Sequence, residues 1–314
     1  MIEGAKTVIE QCLNVKEGES VLILNDSTDT DMIDALESVS EDITTTNVLV
    51  YPEPDNHGEE PPKRIREEML NADVVVAPTK KSLSHTRARR QACEAGARVA
   101  TLPGITKEIW KTSLTSDYEQ VKEISEDVLE RLQETETVQI TTPSGTDITV
   151  DIDSSYFHTD TGIIHNPGDF GNLPAGEADG PSMNANGRLV IDRFPFAPSG
   201  TVIEIRDNAI VDVEEPHDER SELRKAIEGS DCVKHVAEFG FGTNPEATLI
   251  DNVLQDEKVL GTVHIAFGDN TSYVPERHKV HNECHIHWDA ICESPTVTFD
   301  KEKMLIDGDP VFLE

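Results

Sequence analysis

The chain has 314 residues, and its 61 acidic against 27 basic residues give a formal net charge of −34. That excess of negative charge repels phosphate and excludes a general DNA- or RNA-binding protein. No apolar run approaches the roughly 20 residues of a membrane span, and the acidic N-terminus lacks the basic and apolar segments of a signal peptide. We therefore expect a cytoplasmic protein with neither nucleic acid nor a membrane among its partners.

Residues 1–135 alternate apolar β-like runs with amphipathic helical stretches. The predicted strands are Ser20–Asn25, Asn47–Tyr51, Ala72–Ala77 and Ala97–Leu102, and the predicted helices are Thr30–Ser40, Pro62–Leu70, Ser84–Ala95 and 116–134. Strand–helix alternation with short connections predicts a parallel sheet with helices on both faces. No G-x-G-x-x-G motif follows the first strand, so the dinucleotide-binding fingerprint is absent.

Residues 136–314 show an antiparallel pattern instead. Two predicted hairpins join Val138–Thr142 to Asp147–Ile152 and Thr201–Arg206 to Ala209–Val213, and further β-like runs are Cys232–Phe239, Leu260–Phe267, His285–Ala290 and Pro295–Phe299. One helix is predicted at Glu219–Glu228. The predicted fold class is therefore α/β, with an N-terminal parallel-sheet domain over 1–135 and an α+β catalytic domain with a mainly antiparallel sheet over 136–314.

The acidic residues are spread along the whole chain, which has only 14 lysines. Such a surface is typical of cytoplasmic proteins from salt-loving organisms such as halophilic archaea. Molar salt shortens the Debye length to about 3 Å and screens the repulsion between carboxylates. The alternative is an acidic surface that binds a partner.

The five cysteines are odd in number and form no C-x-x-C pair: Cys12, Cys93, Cys232, Cys284 and Cys292. This pattern argues against a disulfide framework and against a zinc ribbon. We expect each cysteine to be a small buried hydrophobic residue in a reducing compartment.

Four segments place potential metal ligands close to glycine, proline or an apolar strand: 172–177 (NLPAGE), 237–245 (AEFGFGTNP), 260–270 (LGTVHIAFGDN) and 285–289 (HIHWD). Each segment alone has an ordinary explanation. Glu177 suits an exposed turn, a buried Glu238 suits an arginine partner as well as a cation, and His264 suits a hydrogen-bonded core histidine. Because strand side chains alternate, His285, His287 and Asp289 are predicted to share one face.

Together the segments predict a metal site with three carboxylates and two imidazoles: Glu177, Glu238, His264, His287 and Asp289. Oxygen and nitrogen ligands without thiolate suit Zn, Mn, Co, Mg or non-haem Fe(II). Five such ligands are enough to hold two ions about 3.5–4 Å apart.

The four segments, in this order, resemble the motifs of the aminopeptidase T family of metallopeptidases. The resemblance implies an N-terminal α/β domain, a C-terminal catalytic domain and a homodimer. It places the family's five metal ligands on the five residues of the predicted site, and it favours His287 over His285 as the histidine ligand in the HIHWD segment. The implied activity is removal of N-terminal residues from peptides by water activated on two Zn, Co, Mn or Mg ions, with Glu238 as general base.

The chain also departs from that family. It is shorter, and its tyrosine after the His264 motif, Tyr273, stands two residues later than in the family pattern. The short form with Gly-Asp-Asn after this motif resembles the Fe(II)-dependent 2,5-dihydroxypyridine dioxygenases, which cleave an aromatic ring. That resemblance implies a single iron on His264, His287 and Asp289. A third possibility is a non-catalytic metal-binding protein of the same fold.

A further candidate lies in the first part, where residues 82–90 follow the third predicted strand and open a helix. Open α/β sheets bind ligands at the carboxyl ends of their strands. His85 is therefore a candidate catalytic residue, as a proton shuttle or a clamp on a peptide or small-molecule substrate. The alternative is a surface histidine at the start of a helix.

Overall fold

The computed structural model describes residues 1–217 and 220–313. The chain divides into two units, each built from more than one segment. The first unit contains Met1–Lys122, Asp160–Ala175 and Glu246–Thr248, and the second contains Glu123–Thr159, Gly176–Pro245 and Leu249–Glu314. The continuous boundary near residue 135 stays a prediction, and the structure adds that later segments return to the first unit.

The helices are α1 Ile2–Lys6, α2 Thr30–Glu41, α3 Lys63–Met69, α4 Arg87–Glu94, α5 Lys107–Lys111, α6 Tyr118–Gln133, α7 Glu222–Gly229 and α8 Val253–Asp256. A π-helical turn, Thr7–Cys12, continues α1, and 3-10 turns lie at Ser113–Thr115, Ser154–Tyr156, Asp231–Lys234 and Val311–Leu313. No helix within the described ranges combines the length and the apolar character that crossing a membrane requires. The predicted start of α7 at Glu219 lies outside the described residues.

The strands are β1 Ser20–Asn25, β2 Thr45–Val50, β3 Val74–Ala77, β4 Arg98–Thr101, β5 Thr137–Thr141, β6 Asp147–Ile152, β7 His158–Asp160, β8 Phe170–Asn172, β9 Glu177–Val190, β10 Val202–Arg206, β11 Ala209–Glu214, β12 Val236–Gly242, β13 Val263–Gly268, β14 His287–Cys292, β15 Thr296–Phe299, β16 Glu302–Ile306 and β17 Asp309–Pro310.

A five-stranded parallel sheet, ordered β2-β1-β3-β4-β8, forms the centre of the first unit. The four residues of β3 are all buried, as are the last five of β1. Continuous apolar runs of this kind are what a sheet covered on both faces requires. The predicted parallel sheet with helices is confirmed, and the short strand β8 adds a fifth strand that was not predicted.

A larger sheet of twelve strands forms the second unit, in the order β14-β13-β12-β9-β6-β5-β15-β16-β17, with β10, β11 and β7 attached beside β9 or one another. Its pairings are antiparallel, as predicted. Both predicted hairpins are present, and Asp207 and Asn208 between β10 and β11 both have positive φ, as a tight two-residue turn requires. The predicted α+β second domain is therefore confirmed in its fold class.

The long strand β9 was not predicted, although it pairs with β12, β6 and β10. Its sequence contains Gly180-Pro181 and several asparagines, residue types that are depleted in strands. The predicted strand at Cys232–Phe239 also needs correction. Its first part is the 3-10 turn Asp231–Lys234, and β12 begins at Val236.

Cys232 and Cys284 form a disulfide, so the expectation that all five cysteines are unpaired is wrong. Cys12 and Cys292 are buried free thiols, as expected. The sequence gives no sign of the pairing because 52 residues separate the two cysteines. They meet because β12 and β14 both pair antiparallel to β13. The segments that lead into these two strands therefore enter at the same edge of the sheet.

Opening this disulfide is expected to destabilise the second unit. Closing a loop of 52 residues stabilises a fold by about 4 kcal/mol in the chain-entropy model. The C284S variant, or the wild type with a dithiol reductant, should therefore unfold at a lower urea concentration than the oxidised protein. C93S, which removes a free thiol, is the matched control. Equal midpoints for the oxidised and reduced protein would contradict this expectation.

Candidate metal centre

The register of three adjacent strands sets the geometry of the candidate metal centre. Glu238 on β12 pairs with Ala266 on β13, which pairs with Asp289 on β14, so the two carboxylates flank a small alanine. His264 lies two residues before Ala266, and His287 pairs with Gly268 at the other end of β13. Alternation along the strands therefore directs these polar side chains to one face of the sheet.

The opposite face of the same strands belongs to the hydrophobic core of the second unit. It carries Phe239 and Phe241 from β12, together with apolar residues of β13 and β14. A core on one face fixes which side chains turn to the other, because slipping the register by one residue would bury the carboxylates in that core. The polar face is thus strongly specified by the sequence.

The structure brings all five predicted ligands together. His264 Nε2 lies 2.9 Å from Glu238 Oε1, and His287 Nε2 lies 3.0 Å from Glu238 Oε2. Asp289 Oδ1 is 3.3 Å from His287 Nε2, and Glu177 Oε2 is 3.7 Å from His264 Nε2. Two imidazoles therefore converge on the two oxygens of one carboxylate, with a further carboxylate on each side.

Gly240, in the AEFGFGTNP segment, makes room for the imidazole of His264. It pairs directly with His264 across β12 and β13. A Cβ atom at Gly240 would overlap the imidazole of His264. Only glycine at this position leaves room for the ring to lie over strand β12, so the glycine two residues after Glu238 is part of the site.

The site combines deep burial with a partly open side. Glu238 and His264 are almost fully buried, whereas the side chain of His287 keeps 35% of its surface exposed. The cluster therefore meets solvent on the His287 side. Burial opposes the ionisation of Glu238, but hydrogen bonds from His264 and His287 outweigh it and hold its pKa well below the usual value.

The two imidazoles respond to the same negative surroundings. Burial alone would lower the pKa of His264, but its hydrogen bond with Glu238 raises that pKa to about 10. For His287, Asp289 and Glu238 likewise outweigh burial and raise the pKa well above the usual value. The carboxylates thus draw positive charge into the site, and a divalent cation supplies that charge without protonating the rings.

The donor set fits a metal ion. His287 Nδ1 lies 2.7 Å from the backbone oxygen of Asp269, to which it donates, and this leaves Nε2 to face the carboxylates. Such an outer hydrogen bond is the usual way to orient a metal-binding histidine. Ligand atoms of Glu238, His287 and Asp289 all lie within 4.8 Å of one another. His264, His287 and Asp289 are therefore the residues that would hold an ion, with the Glu238 carboxylate lying between the two imidazoles.

The sequence did not predict two residues that lie at the site. Tyr273 was noted only as a displaced tyrosine, and Asp179 was not noted. The Tyr273 hydroxyl lies 2.6 Å from Asp179 Oδ2 and 2.7 Å from Glu238 Oε2. Burial, and then the charges of Glu177 and Glu238, raise the pKa of Asp179 well above its usual value. Strand alternation from Glu177 would have placed Asp179 on the same face, had β9 been predicted. The displaced tyrosine after the His264 motif therefore reaches the site.

Lys258 was also missed. Its side chain is 3% exposed, and its Nζ binds Glu177 Oε1 and lies 2.8 Å from Glu257 Oε1. Burial raises the pKa of Glu257 to about 7, against the opposing effect of Lys258. In sequence Lys258 stands in an ordinary polar run, QDEK, which carries no signal of burial.

Two other predicted histidines lie apart from this cluster. The prediction that His285 shares a face with His287 is wrong, because β14 begins only at His287. His285 Nδ1 instead lies 3.9 Å from the sulfurs of Cys232 and Cys284. His85 belongs to the first unit, where it is exposed in the turn before α4 and its carbonyl accepts a hydrogen bond from Arg90. Its catalytic role stays a prediction.

The comparisons with known proteins support both resemblances that the motifs gave. No curated protein matches the chain. The structure of 2,5-dihydroxypyridine dioxygenase from Pseudomonas putida KT2440 is similar with a TM-score of 0.77 at 17% identity, covering 99% of this chain and 96% of that one. Wild-type AmpT from Thermus thermophilus is similar with a TM-score of 0.68, also at 17% identity, covering 99% and 98%. At this identity the two structures show a shared fold.

The family comparison extends over nearly the whole chain. The family model described as 2,5-dihydroxypyridine 5,6-dioxygenase matches residues 1–312. This match includes every residue of the carboxylate–imidazole cluster. The chain therefore belongs to the 2,5-dihydroxypyridine 5,6-dioxygenase family of enzymes.

Proposed function

We propose that the protein is an Fe(II)-dependent dioxygenase that opens a dihydroxylated aromatic or pyridine ring. One observation carries the proposal: His264 and His287 direct their Nε2 atoms onto the same carboxylate, and Asp289 lies beside them. Two histidines and one carboxylate on one face are typical of non-haem Fe(II) oxygenases. Family membership supports the same chemistry.

His264, His287 and Asp289 would hold the ion in this proposal. When bound, Fe(II) would supply the open positions for dioxygen and substrate, and it would let electrons pass from the ring, which is oxidised, to O₂. In the overall reaction one ring carbon–carbon bond breaks and both atoms of one O₂ enter the product. No external reductant is needed. The protein's own task is to bind the ring and to move its hydroxyl protons.

Glu238 is the proposed general base. Its carboxylate lies beside the two imidazoles proposed to bind iron, where it can accept a proton from a substrate hydroxyl within hydrogen-bond reach. Tyr273 bonds to it at 2.7 Å and also to Asp179. We propose that these contacts hold the carboxylate in place while the proton is transferred.

A metal-dependent aminopeptidase is the second candidate, favoured by Glu177. Its Oε2 atom lies 3.7 Å from His264 Nε2, so a fifth donor residue, the third carboxylate, borders the cluster. Five donors can serve a pair of ions that activates water. In this alternative Glu238 is again the base, and the substrate is the N-terminus of a peptide. A homodimer and a cytoplasmic location stay proposals for either activity.

Oxygen uptake distinguishes the two candidates. The protein is loaded with Fe(II) without air and mixed with 2,5-dihydroxypyridine or catechol in an oxygen electrode, while ring absorbance is followed. We expect one O₂ consumed per ring opened, and at least a 100-fold lower rate for D289N, because such rates depend strongly on metal ligation. Parallel assays use leucine p-nitroanilide with Zn²⁺ or Co²⁺. Peptide hydrolysis without oxygen uptake would contradict the dioxygenase proposal and favour the second candidate.

A further inference from the structure

We infer that Lys258 takes the place of a second metal ion and limits the centre to one ion per chain. The inference rests on the proposed metal centre, but not on which reaction occurs there. It concerns Glu177, which the resemblance to aminopeptidases made a metal ligand. In the structure the partner of Glu177 is the ammonium group of Lys258.

Lys258 is buried, and its ammonium group lies between two carboxylates, unlike a surface lysine. Its side chain is 3% exposed, while its Nζ contacts one carboxylate oxygen of Glu177 and one of Glu257. Lysine is almost never buried to this degree unless it is paired. An ammonium group between two carboxylates offsets their negative charge, as a bound metal cation would at the same position.

The backbone around Lys258 is built to hold it there. Its N–H donates to the carbonyl of Gln255, and its own carbonyl accepts from the N–H of Asn244. A Cβ atom at Gly242 would overlap the carbonyl of Val259, so this glycine lets the segment carrying Lys258 lie against the end of β12. The second glycine of the EFGFG run thus serves Lys258, as the first serves His264.

The carboxylates of the site differ in their positive neighbours: Glu177 contacts Lys258, whereas Glu238 and Asp289 contact histidines. Glu177 stands between Lys258 on one side and His264, 3.7 Å away, on the other. A second divalent ion ligated by Glu177 would lie next to the ammonium group and be repelled by it. By contrast, Glu238 and Asp289 lie among the two imidazoles, 3.0 Å and 3.3 Å from His287.

The charges also favour a single ion. Two positive charges of one divalent cation match the two carboxylates Glu238 and Asp289, with both histidines neutral. Lys258 supplies the positive charge beside Glu177 and Glu257, the position where a second divalent ion would otherwise be drawn in. Lys258 is therefore a positioning residue that fixes the number of ions rather than a group that reacts.

Counting bound Co²⁺ tests the inference without any activity assay. The protein is dialysed against Co²⁺, and cobalt per chain is measured by elemental analysis together with the visible spectrum of the bound ion. We expect one Co²⁺ in the wild type and a second in K258M, where Glu177 and Glu257 lose their cation. The double variant K258M/E177Q should return to one ion, and K258R, which keeps the charge, should stay at one.

The single variant E177Q keeps the inference testable if K258M fails to fold. It should still bind one Co²⁺, because Glu177 pairs with Lys258 and not with the ion. Two ions in the wild type, one ion in folded K258M, or no ion in E177Q would each overturn the inference. Failure of the proposed dioxygenase activity is seen separately, as absent oxygen uptake by protein that carries one ion per chain.

Discussion

The H264A variant is expected to lose its bound metal and its activity while it keeps its fold. His264 is one of three residues proposed to ligate the ion, so affinity should fall by 100-fold or more, on the order of or beyond the loss caused by removing outer-shell partners. The fold should persist because β13 is held by its core-facing residues Val263, Ile265 and Phe267. Its pairing with two neighbouring strands is also independent of the imidazole.

The measurement is metal content and melting temperature of H264A beside the wild type, with H217A as the matched control. His217 is an exposed histidine of the second unit, so its removal should change neither quantity. Loss of metal in H264A alone supports the ligand role. A core histidine that only hydrogen-bonds predicts the reverse, a stability loss of about 1–3 kcal/mol with unchanged metal. That outcome would remove the functional assignment of His264.

The elements predicted best are those whose sequence pattern reflects burial directly. Ser20–Asn25 is a strand at the predicted residues, because an apolar run this short, bounded by polar residues, favours a covered strand over a buried helix. Strand β9 was missed because its stability comes from pairing with four neighbours, β12, β6, β10 and β7. Local preference opposes it, since Gly180 and Pro181 lie inside it. Tertiary pairing overrides propensity here, and a single sequence does not display pairing.

The same contrast applies to the site. Glu238 and His264 stand in short motifs that contain glycines, and His287 and Asp289 stand in the HIHWD motif, where alternation in a strand relates them to each other. Lys258, Tyr273 and Asp179 join them only through the packing of loops and of β9. Ordinary polar residues in ordinary surroundings give no local signal of such a role. The number of ions is therefore a question that the motifs left open and that the contact of Lys258 addresses.

The second large effect is expected from salt: the melting temperature should rise steeply as KCl increases from about 0.1 M to 2 M. The net charge of −34 places unbalanced carboxylates over the whole surface. Their mutual repulsion acts across about 10 Å at 0.1 M salt but only about 3 Å at 1 M. Screening therefore removes a term that destabilises the compact state.

Salt also weakens attractive ion pairs, and this opposes the gain in stability that comes from screened repulsion. Exposed pairs such as Lys107 with Asp31, or Arg188 with Glu204, contribute little to stability because water already screens them. With 27 basic residues against 61 acidic ones, repulsive interactions between carboxylates outnumber attractive pairs over the chain as a whole. The loss of attraction is therefore smaller than the relief of repulsion, and stability should increase with salt.

Thermal unfolding followed by circular dichroism in a KCl series tests this expectation, with sucrose at matched osmolality as the control for effects of hydration alone. A rise in KCl that sucrose does not reproduce identifies screening of charge as the cause. A melting temperature that stays flat would contradict the halophilic interpretation. The carboxylates would then be tolerated in dilute buffer, as expected of the alternative, an acidic surface that binds a basic partner.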